Sequence, residues 1–420
     1  MPETGDRRAS ALEPVLRAAL PRVRGRLIGQ IGDFDRAEDA LQDALEAAWR
    51  HWPRDGMPER PEAWLYRVAQ RAALDELRHA SVVERHARDT ESRAEDGAAD
   101  KGDDRLGEAA FDDDLLRLVF ACCHPVLSAE ARAALTLRIV LDLSVEQVAR
   151  AFLVEPRTLE QRLTRAKRRL RNADIEWAVP SGDALDARLQ DVLRVLYLIF
   201  TEGYAASSGP ALLRPELCRL AIGLARSLAR LLRGRAETLA LLALMLLHDS
   251  RAAARLDADG ALVLLEDQDR SRWSRSRIAE GRLLLAKALA LHQPPGPYQI
   301  QAAIAALHAE AASYRATDWP QIALLYDTLL RYGDTPVVRL NRAVAIGNAR
   351  GAAAGIRELE RLRDVPSLAA HHPYHLARAH LLHRLGQGEA ARASLQRALQ
   401  LVGNDPERAS IQHRLDALAD

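Results

Sequence analysis

The sequence predicts an all-α protein, and three observations predict it. Nearly every apolar pattern recurs at helical spacing, leucine and alanine dominate, and alternating runs of β-branched residues are scarce. The 420 residues suit two or three domains with ample buried core, and an apolar content of 48% with mixed charge suits a soluble globular chain. A net charge of +1 says nothing about partners, so charge has to be read segment by segment. The opening "MPETGDRRASALEPVLRAAL" is polar and lacks an apolar signal core, and no run of ~18 apolar residues occurs. The expectation is therefore no secretory leader and no membrane span. Cys122, Cys123 and Cys218 include an adjacent pair and an odd count, which suggests no disulfide framework and makes a reducing cytoplasm the expected compartment.

A first helical domain is expected over residues 1–80. In "DFDRAEDALQDALEAAWRHWP", Leu41, Leu45, Ala48 and Trp52 make a stripe for burial. Glu38, Asp39, Gln42, Asp43 and Glu46 form a mostly acidic outer face, which is either a solvated surface or a dock for a basic partner. After the loop "PRDGMPERP" comes "EAWLYRVAQRAALDELR", with Leu65, Val68, Ala69, Ala72 and Leu77 facing inward. Arg67, Arg71 and Arg78 share another face, and Trp64 stands near the helix start. A basic face beside a loop can hold a DNA strand and accept an unstacked base, whereas a plain core role for Trp64 fits equally well.

Residues 81–113 read as a flexible acidic linker. From Glu84 to Asp114 twelve acids meet five bases, a net of −7, and such a passage cannot bury enough apolar surface to order itself.

The next unit, 114–178, carries two helices in sequence. Ser144 and Gln147 make a capping-box pattern for "LSVEQVARAF", with Val145, Val148 and Phe152 available for a core. "LVE" supplies a turn, and Pro156 suits the first turn of the following helix, where its missing N–H would be unpaired anyway. In that helix Leu159, Leu163, Ala166 and Leu170 form one apolar stripe. Arg157, Gln161, Thr164 and Arg168 fall opposite, with Thr158, Arg162, Arg165 and Arg169 completing the polar surface. From Leu143 to Arg171 there are eight bases against three acids, a net of +5. A recognition helix needs this arrangement: one stripe seats it on its neighbour while the outer face enters the major groove. The competing reading is a solvated basic helix; the capped preceding helix, the short turn and the one-sided charge favour DNA.

Residues 179–420 form a long helical extension. "HLARAHLLHRLGQGEAARASLQRALQL" reads as helix, Gly-bearing turn, helix, and "VVRLNRAVAIGNARGAAAGIRELERL" repeats that outline at about 36 residues, near the ~34-residue tetratricopeptide period. Ala390 and Ala398 sit where such a pair needs small residues. An irregular α-bundle fits residues 180–320 nearly as well.

Some clusters tempt. "CCHP" (Cys122–Pro125) has metal-binding residue types, but adjacent ligands on one helix diverge and no matching pair lies nearby, so buried thiols and a helix-ending His-Pro are expected and no metal. His371, His372 and His375 are read as structural. "EDQDRSRW" is read as capping and an Asp–Arg network rather than a catalytic site. No phosphate-cradling glycine loop or nucleophile–base set is found, so neither an enzyme nor a cofactor is expected.

Together these segments resemble the sigma-70 family of bacterial RNA polymerase sigma factors, specifically its extracytoplasmic-function group. "AEDALQDALEAAW" with "AWLYRVAQRAALDELR" is similar to region 2, and "LSAEARAALTLRIVLDLSVEQVARAFLVEPRTLEQRLTRAKRRLR" to region 4. "LLRLVFACCHPVLS", "LYLIFTEGY", "LLALMLLHDSR", "LLEDQDRSRW" and "GPYQIQAAIAALHA" resemble a subgroup with a tetratricopeptide-like extension. The resemblance implies binding to core RNA polymerase, at the β′ clamp helices and β flap, and to promoter DNA. It assigns Asp39, Gln42, Asp43 and Glu46 to polymerase and Trp64, Arg67, Arg71 and Arg78 to the −10 element. It assigns Arg157, Thr158, Gln161, Arg162, Arg165 and Arg168 to the −35 element. The family often has asparagine where this chain has Arg71. The extension is expected to regulate activity and to present a concave surface to a regulatory protein. The alternative is a helix-turn-helix regulator that works without polymerase and carries a protein- or ligand-sensing extension.

Overall fold

A computed structural model describes residues 3–86, 108–151, 154–173, 175 and 177–418; within these, the side chains of 3–11, 77–86, 108–109, 147 and 150–151 are left aside. The described residues are α-helical with short connections and two isolated β-bridges. The all-α expectation therefore holds. The chain divides into two compact units between Leu196 and Tyr197, inside one helix rather than at the sequence boundary after residue 178.

In unit 1, α1 (Glu3–Ile31), α2 (Phe34–Asp55) and α3 (Pro61–His86) pack on one another. Asp33 starts α2 by accepting from the amides of Asp35 and Arg36 at 2.9 and 3.3 Å, satisfying N–H groups that the helix itself leaves unpaired. Gly56, at φ +87°, ends it with an N–H to Trp52 O. The buried stripe of α2 is Phe34, Ala37, Ala40, Leu41, Ala44, Ala48 and Trp52. Leu45 is only half-buried, since the smaller Ala44 takes the inward position. On α3, Leu65, Ala69 and Ala73 are buried while Val68 and Ala72 are half-buried; Leu77 lies outside the described side chains.

The linker expected at 81–113 is narrower at both ends. Residues 81–86 continue α3 and 108–113 belong to α4 (Glu108–Cys122); 87–107 lie outside the described residues. Helix α4 packs closely on α1 at Gly25, where a Cβ would sit 2.8 Å from Leu115 Cα, so only glycine allows this approach. After α4 come α5 (Ala129–Ile139), α6 (Val145–Ala151) and α7 (Pro156–Asn172), then α8 (Gly182–Tyr204), which carries the division between units. Ser128 caps α5 through Ala131 N, and Asp142, between α5 and α6, is left-handed at φ +53°, a conformation aspartate tolerates better than most.

Unit 2 is built from the end of α8, α9 (Pro215–Leu231), α10 (Ala236–Asp249), α11 (Arg275–Ala290), α12 (Pro297–Glu310), α13 (Trp319–Leu330), α14 (Pro336–Arg350), α15 (Ala352–Glu360), α16 (Pro366–Ala369), α17 (His372–Arg384), α18 (Gly388–Leu401) and α19 (Asp405–Asp416). Helix α10 is apolar all round, as a helix packed by α9, α11 and α12 must be. Helix pairs follow. In the α14–α15 pair a Cβ on Gly355 would lie 2.7 Å from Gly347 Cα, so the two backbones touch. In the α17–α18 pair Ala398 and Ala391 are buried, whereas Ala390 is half-buried. Buried Asn404 caps α19 and donates to Ala206 O at 3.0 Å, tying distant parts of the unit.

Candidate nucleic-acid interface

Helix α6 opens at Ser144, whose carbonyl accepts from Val148 N at 3.0 Å and whose hydroxyl donates to Glu146 at 2.7 Å. Gln147, expected to reciprocate the cap, and Phe152, expected in the core, lie outside the described side chains; Val148 is fully buried. Pro156 occupies the first turn of α7, and Glu155 before it makes no side-chain cap. The predicted stripe is the observed one: Leu159, Leu163, Ala166 and Leu170 are all buried. The helix is thereby held against α5 and α6, and the remaining face is fixed in orientation.

That face carries Arg157, Thr158, Gln161, Arg165 and Arg168, all exposed, with Arg162 half-buried. Arg165 Nε donates to Gln161 O at 3.1 Å, and Arg162 lies 3.3 Å from Glu130 at the start of α5. Thr158, Arg162 and Arg165 line a notch of about 240 Å³ together with Ser128 and Arg169. Hydroxyls and guanidinium groups converging on one cleft suit phosphate oxygens, and exposed arginines one turn apart suit base edges.

The inner end of α7 has another role, absent from the sequence reading. Lys167 reaches Asp35 at 2.7 Å, and Arg171 reaches Asp33 and Asp35 at 3.3 Å. The hydrogen bond from Lys167 leads the effects that hold the Asp35 carboxyl below its ordinary range. Deeper, Arg24 of α1 is only 3% exposed. It pairs with Glu38 at 2.9 Å and Asp142 at 2.7 Å and donates to Ile139 O at 2.9 Å. Burial alone would lower its pKa, but the two carboxylates outweigh burial and raise it. Glu38 shows the mirror effect: burial pushes its carboxyl up, and Arg24 with Arg138 and Lys167 pulls it below the ordinary value. Glu38 therefore does not belong to the outward acidic face. Its partner Arg24 is 14 residues away on another helix, beyond the reach of helical periodicity.

Asp39, Gln42, Asp43 and Glu46 are exposed on α2, and the three carboxylates make no ion pair among the described residues. Trp49, 43% exposed on the same helix, was missed; an aromatic one turn beyond Glu46 and off the buried stripe was the available signal. On α3, Arg67 and Arg71 are exposed, while the side chain of Arg78 lies outside the described residues. Trp64 is half-buried and meets Trp52 edge-on at 5.4 Å, so part of its surface serves the core and part remains open.

Cys122, Cys123 and Cys218 are buried and free. Burial raises each thiol, Cys123 and Cys218 to about 12. His124 Nδ1 accepts from Val126 N, His372 pairs with Glu407 at 3.2 Å, and His375 approaches Ala369 O at 3.0 Å. Among the described residues no group of three or more His, Cys, Asp or Glu side chains is placed to hold a metal ion, and no helix is long and apolar enough to cross a membrane.

A seated helix with an exposed basic face and a three-helix domain with an exposed acidic face are the arrangement of an all-α protein with two oppositely charged surfaces. Comparison with known families supplies the particular class. Residues 15–82 match Sigma-70 region 2, residues 117–170 match Sigma-70, region 4, and residues 188–289 match a family of unknown function, DUF6596. The ECF RNA polymerase sigma factor SigL of Mycobacterium tuberculosis is 33% identical over 141 residues, which cover 33% of this chain and 75% of SigL. An uncharacterized protein, R00370, of Rhizobium meliloti (strain 1021) is 44% identical over 414 residues, covering 97% of this chain and 96% of its own. No solved structure matches. The chain belongs to the sigma-70 family of RNA polymerase sigma factors, as an extracytoplasmic-function-like member with a helical extension after region 4, and it directs transcription initiation.

Proposed function

We propose that α7 reads the −35 element from the major groove through Arg157, Thr158, Gln161, Arg162, Arg165 and Arg168. The observation that carries this is the separation of its two faces: four buried apolar residues on one side, the exposed guanidinium groups of Arg157, Arg165 and Arg168 on the other. Arginine bonds guanine edges bidentately, and the cleft lined by Thr158 and Arg162 suits a flanking phosphate. On α3, Arg67 and Arg71, with Arg78 beyond them, hold the −10 strand. The open part of Trp64, with the connection 56–60 (shorter than the expected 53–61 loop, since α2 runs to Asp55 and α3 starts at Pro61), accepts an unstacked base. Asp39, Gln42, Asp43 and Glu46 dock on the basic β′ clamp helices of core polymerase, and region 4 meets the β flap. The protein works in the cytoplasm without covalent chemistry. Unit 2 supports this activity by contact with a regulatory protein.

The test is run-off transcription with core polymerase and a genomic promoter library. The expected result is initiation at a promoter subset, lost for Arg157→Ala with Arg165→Ala. Asp39→Lys with Asp43→Lys should lose polymerase capture while still binding duplex DNA. A wild-type protein that never captures polymerase would overturn the reading. For the extension, a chain ending after Leu196 keeps Asp191 beside Arg132. Unchanged output from that chain removes the supporting role.

A further inference from the structure

The segment "EDQDRSRW" borders a cavity that no periodicity could disclose. Within unit 2, about 300 Å³ lies between the Leu264–Glu266 loop and helices α12, α13, α14, α17 and α19. Tyr314, Trp319 and Tyr326 stand in its wall. Tyr314 and Trp319 meet edge-on at 4.9 Å, and His308 meets Trp319 at 5.1 Å. Such a wall suits a flat apolar body.

The polar groups of the lining are unevenly satisfied. His380 Nδ1 lies 3.5 Å from Glu266, while its buried Nε2 makes no hydrogen bond among the described residues; the same is true of the buried Nδ1 of His308. Unmatched buried nitrogens are costly, and their presence in two residues of one lining marks a place where a ligand would supply the partner. Arg414 is half-buried and makes neither an ion pair nor a hydrogen bond among the described residues.

The charge acting on the two histidines is positive. Burial leads the effects that push both imidazoles down to about 4, and Arg251 and Arg270 around His308, and Arg384 and Arg414 around His380, push the same way. Arg414 is the guanidinium of the lining and Glu266 its carboxylate, and three further guanidinium groups, Arg251, Arg270 and Arg384, act on the two imidazoles from outside it.

We propose that this cavity binds a small aromatic carboxylate, its ring against Tyr314, Trp319 and Tyr326 and its anionic end on Arg414 and an imidazole N–H. Glu266 argues for the opposite charge, an aromatic amine, and that is the rival the experiment separates. The assignment stands independently of promoter recognition, because its readout needs neither polymerase nor DNA.

Isothermal titration calorimetry of the full chain with 2-naphthoate, its neutral amide and 2-naphthylmethylammonium decides it. The expected result is one saturable site at which the carboxylate binds about tenfold tighter than either analogue. Arg414→Gln should weaken the carboxylate alone by a similar factor. Val344→Trp, which fills the cavity, should abolish all binding while the thermal melt shows a folded protein. If that variant fails to fold, the probe series and Arg414→Gln still decide. Absence of saturable heat with 2-naphthoate to millimolar concentration, equal affinity for the three probes, tighter binding of the ammonium, or full affinity in Arg414→Gln would each overturn the proposal.

Discussion

Two arginine-rich helices in unit 1 use the same side chain for opposite ends. In α1, Arg22, Arg24 and Arg26 follow one another at every second position. Each meets a carboxylate from another element: Arg22 with Asp112 at 2.8 Å, Arg24 with Glu38 and Asp142, and Arg26 with Asp114 at 2.8 Å. In α7, Arg157, Arg165 and Arg168 are exposed and make no ion pair among the described residues. Helix propensity cannot tell these cases apart, since arginine is a good helix former in both. Their surroundings do. A guanidinium group taken out of water must find carboxylates or unfold the site, whereas one left in water keeps its charge available for a polyanion.

The contrast can be broken most severely at Arg24. Arg24→Ala leaves Glu38 and Asp142 with only the half-exposed Arg138 to pair them, and a loss of about 3 kcal/mol is expected from urea unfolding. A loss below about 1 kcal/mol would mean that water already satisfies those carboxylates. Next comes α7, where Arg165→Ala should cost about 1–3 kcal/mol in binding a promoter fragment. Its unfolding free energy should stay within ~0.5 kcal/mol of wild type, the pattern of a residue that serves a partner and not the fold. Gly25→Ala is expected to cost about 1 kcal/mol, because a Cβ only 2.8 Å from Leu115 Cα forces α1 and α4 apart despite alanine's better helix propensity.

The smallest effect sharpens the comparison with pH. Asp35 has its carboxyl lowered by Lys167, so the stability it adds is fully present above the ordinary carboxylate range and fades as pH falls through its lowered value. Because Asp35 is mostly exposed, Asp35→Asn should cost no more than ~0.5 kcal/mol at pH 7. Wild type and variant should converge in acid; a difference that widened there would refute the sign.

How much the sequence disclosed follows from the range of each interaction. The α7 stripe and its basic face were legible because a single helix determines both. The α2 face was legible except at Glu38, which a residue on α1 turns inward, and at Leu45, where the neighbouring alanine packs instead. Lys167 and Arg171 look like further DNA contacts until Asp33 and Asp35 are seen beside them. The unit 2 cavity was out of reach for the same reason in stronger form, since its lining is drawn from residues between Leu264 and Arg414. Helical spacing reports what one element presents, never what another brings to meet it.

The three buried thiols have one more consequence. A sulfur reacts with peroxide or an alkylating reagent as the thiolate, and at Cys122, Cys123 and Cys218 burial makes that anion scarce at neutral pH. The three thiols of the native protein should therefore react slowly with iodoacetamide and hydrogen peroxide. Labelling would begin only as denaturant opens the chain, so the rate at which the cysteines are tagged becomes a direct gauge of unfolding.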